Sequence, residues 1–237
     1  VTGVQTCALP ISPLGASISL QKRIPVGAGL GGGSSDAAAV LRILSGVFKT
    51  FLQADFGLSD SSFQGAIVSA ALACGADVPY ALTGGLCRVT GVGEVVEPIA
   101  GLEVDRYSVL IGVPTSPVPT RAFYERYRQA HPEVACQRDE ALEAFVAKPS
   151  RGLTGLIEND FEADVVAMAP EVGKALSVVR EEIPALSGVT GSGCAVFAFI
   201  SEREQGKVAA LTDELKRQGC AVYQERLATP ESCWALG

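Results

Sequence analysis

The chain has 237 residues, 48% of them apolar and 19% charged, with a formal net charge of −7 at pH 7. These proportions exclude a disordered chain, and the acidic balance argues against nucleic-acid or anionic-membrane partners, which select basic faces. A nucleotide substrate remains compatible, because backbone N–H groups and a metal ion hold phosphates without net positive charge on the protein.

A chain of this length forms one large domain or two small ones. The first dozen residues, VTGVQTCALPIS, lack a basic n-region and do not read as a signal peptide. They resemble translated sequencing-adapter read-through, so residues 1–14 are set aside as a leader and the native chain is expected to begin near Gly15. Gly15–Ile24 reads as a strand in which Ile18 and Leu20 alternate with Ser17, Ser19 and Gln21; without residues upstream it has no strand neighbour. Pro25–Gly33 is too rich in glycine for a regular element. Ser34 or Ser35 is expected to cap a helix to about Phe48, with Ala38, Leu41, Leu44 and Val47 on one face. Asp60, Ser61 and Ser62 cap a second helix that stops at Gly75. Leu86–Gly91 and Val95–Ile99 read as paired strands.

The pattern restarts after Gly101. Tyr107–Val113 is an apolar strand ended by Pro114, and helices follow at about Thr120–His131 and Arg138–Ala147. A further helix carries Leu153, Ile157, Phe161, Val165 and Met168 until Pro170 breaks it and another begins. Ala195–Ile200 is a strand, Arg203–Gln218 an amphipathic helix and Ala221–Leu227 a last strand. Strands and helices mix without regular alternation after residue 100, which predicts an α+β fold with two lobes meeting near residues 101–106. No apolar run is long and uncharged enough to span a membrane.

The seven cysteines, at 7, 74, 87, 136, 194, 220 and 233, are odd in number and contain no Cys-x-x-Cys, so reduced thiols are expected. The single histidine, His131, lies in a polar stretch and suits a structural or surface role. With that role for the single histidine, no candidate remains for a His-based triad, and a His-rich metal site is ruled out.

The segment Pro25-Val26-Gly27-Ala28-Gly29-Leu30-Gly31-Gly32-Gly33-Ser34-Ser35 carries the strongest chemical signal. Its glycines remove side chains where a ligand approaches the backbone, successive N–H groups and a helix start favour an anion, and two hydroxyls add donors. No Walker A loop is present. A Rossmann fingerprint matches formally as Gly27-x-Gly29-x-x-Gly32, but the preceding strand alternates and contains Pro25, where a Rossmann strand is continuously apolar. An ordinary glycine-rich turn does not explain the density of glycines followed by Ser-Ser and a helix.

PVGAGLGGGSSDAA resembles the second motif of the GHMP kinases, their ATP-binding loop, and GADVP at Gly75–Pro79 narrows the likeness to the members that phosphorylate the 2-hydroxyl of a cytidine diphosphate-linked methylerythritol in the non-mevalonate isoprenoid (terpenoid) pathway. The likeness runs from Gly15 onward through PTSPVPT at 114–120, Asn159-Asp160-Phe161 and TGSGCAVFA at 190–198. It implies a two-lobed fold, with an incomplete ribosomal protein S5 domain 2-like nucleotide lobe at 15–103 and a ferredoxin-like lobe at 104–237. It also implies a cytoplasmic enzyme using ATP and Mg²⁺ on a small molecule. No protein ligand for the magnesium is named by it.

Asp77, by itself a turn or cap residue, matches the family's catalytic aspartate, which orients the acceptor hydroxyl and takes its proton. Thr120 matches a threonine near the transferred phosphate; as a residue it serves equally as an N-cap. Lys22 flanks the loop, and a solvated strand lysine or a phosphate or adenine contact are both open. Gly191, Ser192 and Gly193 resemble the third motif, which closes over the phosphate loop; otherwise they are a tight turn. The family's first motif, with a lysine partnering the aspartate and contacts to cytosine, has no match here, so the chain as it stands is expected to be inactive. Another GHMP kinase acting on homoserine, mevalonate or a sugar, and a non-catalytic nucleotide-binding protein, are the alternatives.

Overall fold

The structure is a computed structural model that describes residues 2–8, 15–56, 59–100, 106–115, 118–131 and 157–227. The helix predicted at Arg138–Ala147 lies outside these residues.

Strand β1 (Thr2–Ala8) runs antiparallel to β2 (Gly15–Gln21), with Gly3 opposite Leu20 and Cys7 opposite Ala16. The expectation that β2 lacks a strand neighbour is therefore not met. Thr2, Val4 and Thr6 recur at every second position, and β-branched residues so spaced suit an extended strand whatever their origin. Helix α1 (Gly32–Phe56) starts before Ser34, because the chain leaves the left-handed region after Gly31, whose carbonyl accepts from Ser35 N–H at 2.9 Å. It continues past Phe48, since no glycine or proline interrupts residues 47–56.

Helix α2 (Asp60–Cys74) is capped by Ser59, not by the residues after it: the Ser59 hydroxyl accepts from Ser62 N–H at 3.2 Å. A short helix absent from the sequence expectation, α3 (Val78–Thr83), has proline in its first turn. Ala38 of α1, Ala71 of α2 and Val78 of α3 form one small buried cluster. Strands β3 (Cys87–Thr90) and β4 (Val95–Pro98) pair antiparallel.

The second lobe is built on one four-stranded antiparallel sheet in the order β6-β7-β5-β8, from β5 (Ser108–Val113), β6 (Ser187–Val189), β7 (Val196–Ile200) and β8 (Ala221–Arg226). Helix α4 (Thr120–Ala130), then α5 (Glu162–Met168) and α6 (Pro170–Glu182), lie between β5 and β6, and α7 (Val208–Arg217) lies between β7 and β8. This chain order and strand order are those of a ferredoxin-like fold. Leu110, Val196, Ala198 and Ile200 are buried at alternate strand positions, joining Val172, Ala175, Leu176 and Val179 of α6 and Leu211 and Leu215 of α7 in one core. At the α4 end, Phe123 is fully buried and meets Phe161 edge-to-face at 5.2 Å and Tyr127 in a stack at 5.9 Å.

Ile157–Phe161 does not extend the helix to Met168. Asn159 turns the chain there, its Oδ1 accepting from Phe161 N–H at 3.0 Å, the local bond by which asparagine competes with helix. His131 ends α4 and contacts Asp164 at 3.0 Å, in keeping with a structural role. Among the described residues, Cys74, Cys87, Cys194 and Cys220 are free, and burial pushes the thiols of the last three up, so they stay protonated.

Candidate active site

The glycine loop runs from β2 into α1. Gly27, Gly29 and Gly31 all have positive φ, at 77°, 69° and 64°, so every second residue sits in a region that side-chain-bearing residues avoid. That alternation curls the loop and leaves the amides of Gly32, Gly33 and Ser34 at the helix mouth, where no intrahelical acceptor reaches them. Lys22 forms an ion pair with Asp36, both partly buried, so it is not a solvated strand lysine, and its Nζ lies at the mouth of α1, 3.4 Å from where a side chain on Gly32 would begin. Its charge offsets the one carboxylate in the first turns of α1, whose field would otherwise repel an anion at the mouth.

The loop is held from the other lobe. Residues 190–195 connect β6 to β7, closed by Gly193 N–H to Thr190 carbonyl at 2.7 Å and Thr190 N–H to Ala195 carbonyl at 2.9 Å. The Thr190 hydroxyl donates to the Ala28 carbonyl at 2.7 Å, and Ala195 N–H reaches the same oxygen at 3.2 Å. A side chain on Gly29 would stand 2.5 Å from the Thr190 carbonyl oxygen and 2.7 Å from that of Gly193, so only glycine permits this approach. Asn159 Nδ2 braces the connection, donating at 2.9 Å to the carbonyls of both Val189 and Gly191. Gly191, Ser192 and Gly193 thus sit against the glycine loop in a turn, with Ser192 and Gly193 buried and Gly191 exposed.

Asp77 is exposed at the amino end of α3, and its side chain caps nothing. The turn carrying it is tight, with Val78 N–H bonded to the Gly75 carbonyl at 3.0 Å, and Val78 anchors it in the cluster shared with α1. The tip of the β3–β4 hairpin backs this turn: a side chain on Gly93, whose φ is 106°, would overlap the Ala76 carbonyl. Asp77 lines a cleft of about 420 Å³ with Tyr80, Gly85, Leu86 and Cys87, and Tyr80 donates to the Gly85 carbonyl at 2.9 Å.

On α4, burial, and then the negative charge of Asp77, push the Tyr124 phenol above the usual range. Thr120 is exposed as the first residue of α4, after the N-cap Pro119, and no side-chain bond caps that helix, so the capping alternative is not met. Sequence reasoning passed over Thr190 and Tyr124. The spacing of Thr120 and Tyr124, one helical turn apart and so on one face, is the signal that points to the second; Thr190 directly precedes the Gly-Ser-Gly turn. Among the described residues no group of three His, Cys, Asp or Glu side chains is placed to hold a metal ion, and no helix is long and apolar enough to cross a membrane.

The family model for the GHMP kinases N terminal domain matches residues 4–85. A 4-diphosphocytidyl-2-C-methyl-D-erythritol kinase of Cereibacter sphaeroides is 32% identical, over 96% of this chain and 81% of that protein. A protein of the same name from Chlorobium phaeobacteroides is 35% identical, over 83% of this chain but only 65% of its own length. Among solved structures, a 4-(cytidine 5'-diphospho)-2C-methyl-D-erythritol kinase superposes with a TM-score of 0.63 at 27% identity, over 88% of this chain and 69% of that one. A homoserine kinase from Cytophaga hutchinsonii gives 0.61 at 17% identity over 87% of this chain and 68% of its own, a likeness of fold alone. With the glycine loop, the Asp77 turn and a relative matched over most of its length all in agreement, the chain belongs to the 4-diphosphocytidyl-2-C-methyl-D-erythritol kinase family of GHMP kinases.

Proposed function

We propose that this chain binds ATP at Pro25–Ser35 and belongs to an enzyme that transfers the γ-phosphoryl group to the 2-hydroxyl of 4-diphosphocytidyl-2-C-methyl-D-erythritol, in the cytoplasm, with turnover expected only when the family's first motif is also supplied. The observation that carries the reading is a loop of glycine amides at the mouth of α1, gripped by the 190–195 connection, together with a turn, anchored on the same helix through Val78 and Ala38, that presents an exposed carboxylate to a cleft. The names of the relatives supply the substrate.

The amides of Gly32, Gly33 and Ser34 and the dipole of α1 hold the β- and γ-phosphates. Magnesium accompanies the nucleotide and neutralises the phosphate charge. Lys22, at the mouth of α1, offsets the charge of Asp36 and is a candidate contact for a phosphate or the substrate. Asp77 orients the acceptor hydroxyl and takes its proton; an alcohol is a far weaker acid than a carboxylic acid, so the proton moves late and positioning outweighs basicity. Thr120 and the Gly191–Gly193 turn lie on the opposite lobe as the partners that close on the transferred group.

Gly31→Val tests the loop. A side chain at Gly31 meets nothing within 4 Å, so the fold has room for it, at a cost of roughly 1–2 kcal/mol for the left-handed backbone. Titration calorimetry with Mg-ATP is expected to show binding by the parent and none by the variant, with the circular dichroism spectrum retained. Equal affinity in both proteins removes the loop from the site. ADP release stimulated by homoserine or mevalonate, and not by the cytidylyl substrate, overturns the choice of acceptor.

A further inference from the structure

We propose that Thr190 is a positioning residue that sets the orientation of the Ala28–Gly29 peptide and thereby aims the Gly29 amide at the nucleotide; this rests on the reading of residues 25–35 as the ATP loop. The Ala28 carbonyl accepts from the Thr190 hydroxyl at 2.7 Å and from Ala195 N–H at 3.2 Å, so its oxygen points into the 190–195 connection. In a trans peptide the C=O and N–H groups point in opposite directions. The Gly29 N–H is therefore turned away from that connection, toward the open side of the loop, where Gly29 is exposed while Ala28 is buried.

A flip of this peptide turns on the ψ of Ala28 and the φ of Gly29, and Gly29, at a φ of 69°, places little steric restriction on it. A flip would aim the Ala28 oxygen at the phosphates, where it repels them, and would break both bonds to that oxygen. Thr190 is the side chain that opposes the flip. The single hydroxyl proton faces two acceptors, the Ala28 carbonyl at 2.7 Å and the Ala195 carbonyl at 3.1 Å, and the shorter contact is to Ala28; the backbone on either side of Thr190 is held by Asn159 through Val189 and Gly191. The chain thus spans 162 residues of sequence with one side-chain bond to orient one amide.

The test compares Thr190→Val, which keeps the shape and removes the donor, with Thr190→Ser, which keeps the donor. In the nucleotide-free protein, the ¹⁵N-resolved resonance of the Gly29 amide is expected to shift or split in the valine variant and to stay at its parent position in the serine variant. The Kd for Mg-ATP is expected to rise about tenfold in Thr190→Val, the worth of roughly one hydrogen bond, and to return to within about twofold of the parent in Thr190→Ser. A purely structural threonine would lower the melting temperature and leave the Gly29 resonance and the Kd unmoved, and that result overturns the proposal. If the parent protein binds no ATP, the reading of the loop fails, while the Gly29 resonance still decides the role of Thr190. Should Thr190→Val not fold, Thr190→Ala carries the test: it also removes the donor, and an unchanged Gly29 resonance in that variant likewise overturns the proposal.

Discussion

The two lobes are packed on different principles. In the carboxy-terminal lobe one sheet of four strands shares a continuous core with α6 and α7, and residues such as Val179, Ala198 and Leu215 are completely buried. In the amino-terminal lobe the described strands form two separate two-stranded ladders, and the cluster shared by its helices is Ala38, Ala71 and Val78, while Ile43 and Val47 on the same long helix stay 57% and 66% exposed. A two-stranded hairpin is marginal by itself, so the glycine loop takes its rigidity from across the lobe boundary, through Ala28, which is buried in the carboxy-terminal core. One lobe supplies stiffness; the other carries the carboxylate and the amides.

That division predicts that chemistry and stability come apart under mutation. In a version extended by a relative's first motif, Asp77→Asn keeps size and removes charge at an exposed position, so turnover on the cytidylyl substrate is expected to fall about 10²- to 10⁴-fold. Stability should move by less than about 0.5 kcal/mol, and the Kd for ATP should hardly change. A variant keeping half the parent turnover would make Asp77 a turn residue only. Leu215→Ala, in the other lobe, should cost about 2–5 kcal/mol in urea denaturation, whereas Ile43→Ala should cost less than about 0.5. Equal losses from the two would erase the contrast between the cores.

The smallest effect concerns pH. The Tyr124 phenol titrates above its unfolded value, because of burial and then the charge of Asp77. A raised folded pKa means that its contribution to stability is fully present below about pH 10 and is lost as the pH rises through the folded value. Tyr124→Phe should therefore flatten the alkaline decline in stability. Asp77→Asn should lower the pH at which Tyr124 ionises, read from phenolate absorbance against a Tyr124→Phe background. An unmoved titration would show that the charge of Asp77 does not reach Tyr124.

Legibility from sequence followed how local each feature is. The glycine loop and the Asp77 turn were legible because glycine and Gly-Ala-Asp-Val-Pro act through short-range backbone geometry. The strands at 108–113 and 196–200 were legible from apolar runs. Strand β6, only Ser187–Val189, was not, since it has no periodicity and exists through its pairing with β7. Helix α3 was hidden by the proline that starts it. The start of α1 was misplaced because hydroxyls looked like caps where the backbone sign of Gly31 decides. Thr190 could not have been chosen at all: its partner is Ala28, far away in sequence, and long-range side-chain bonds leave no local pattern.

A hairpin tip is ordinarily the part of a protein most tolerant of added residues. The tip at residues 91–94 is an exception, because Gly93 lies directly against the Ala76 carbonyl, one residue from Asp77. The hairpin tip is thus a backing plate for the turn that presents Asp77. Loop grafts, epitope tags or circular permutation at this tip would therefore be expected to disturb that turn, and sites for such engineering belong on the exposed surface of α7 instead.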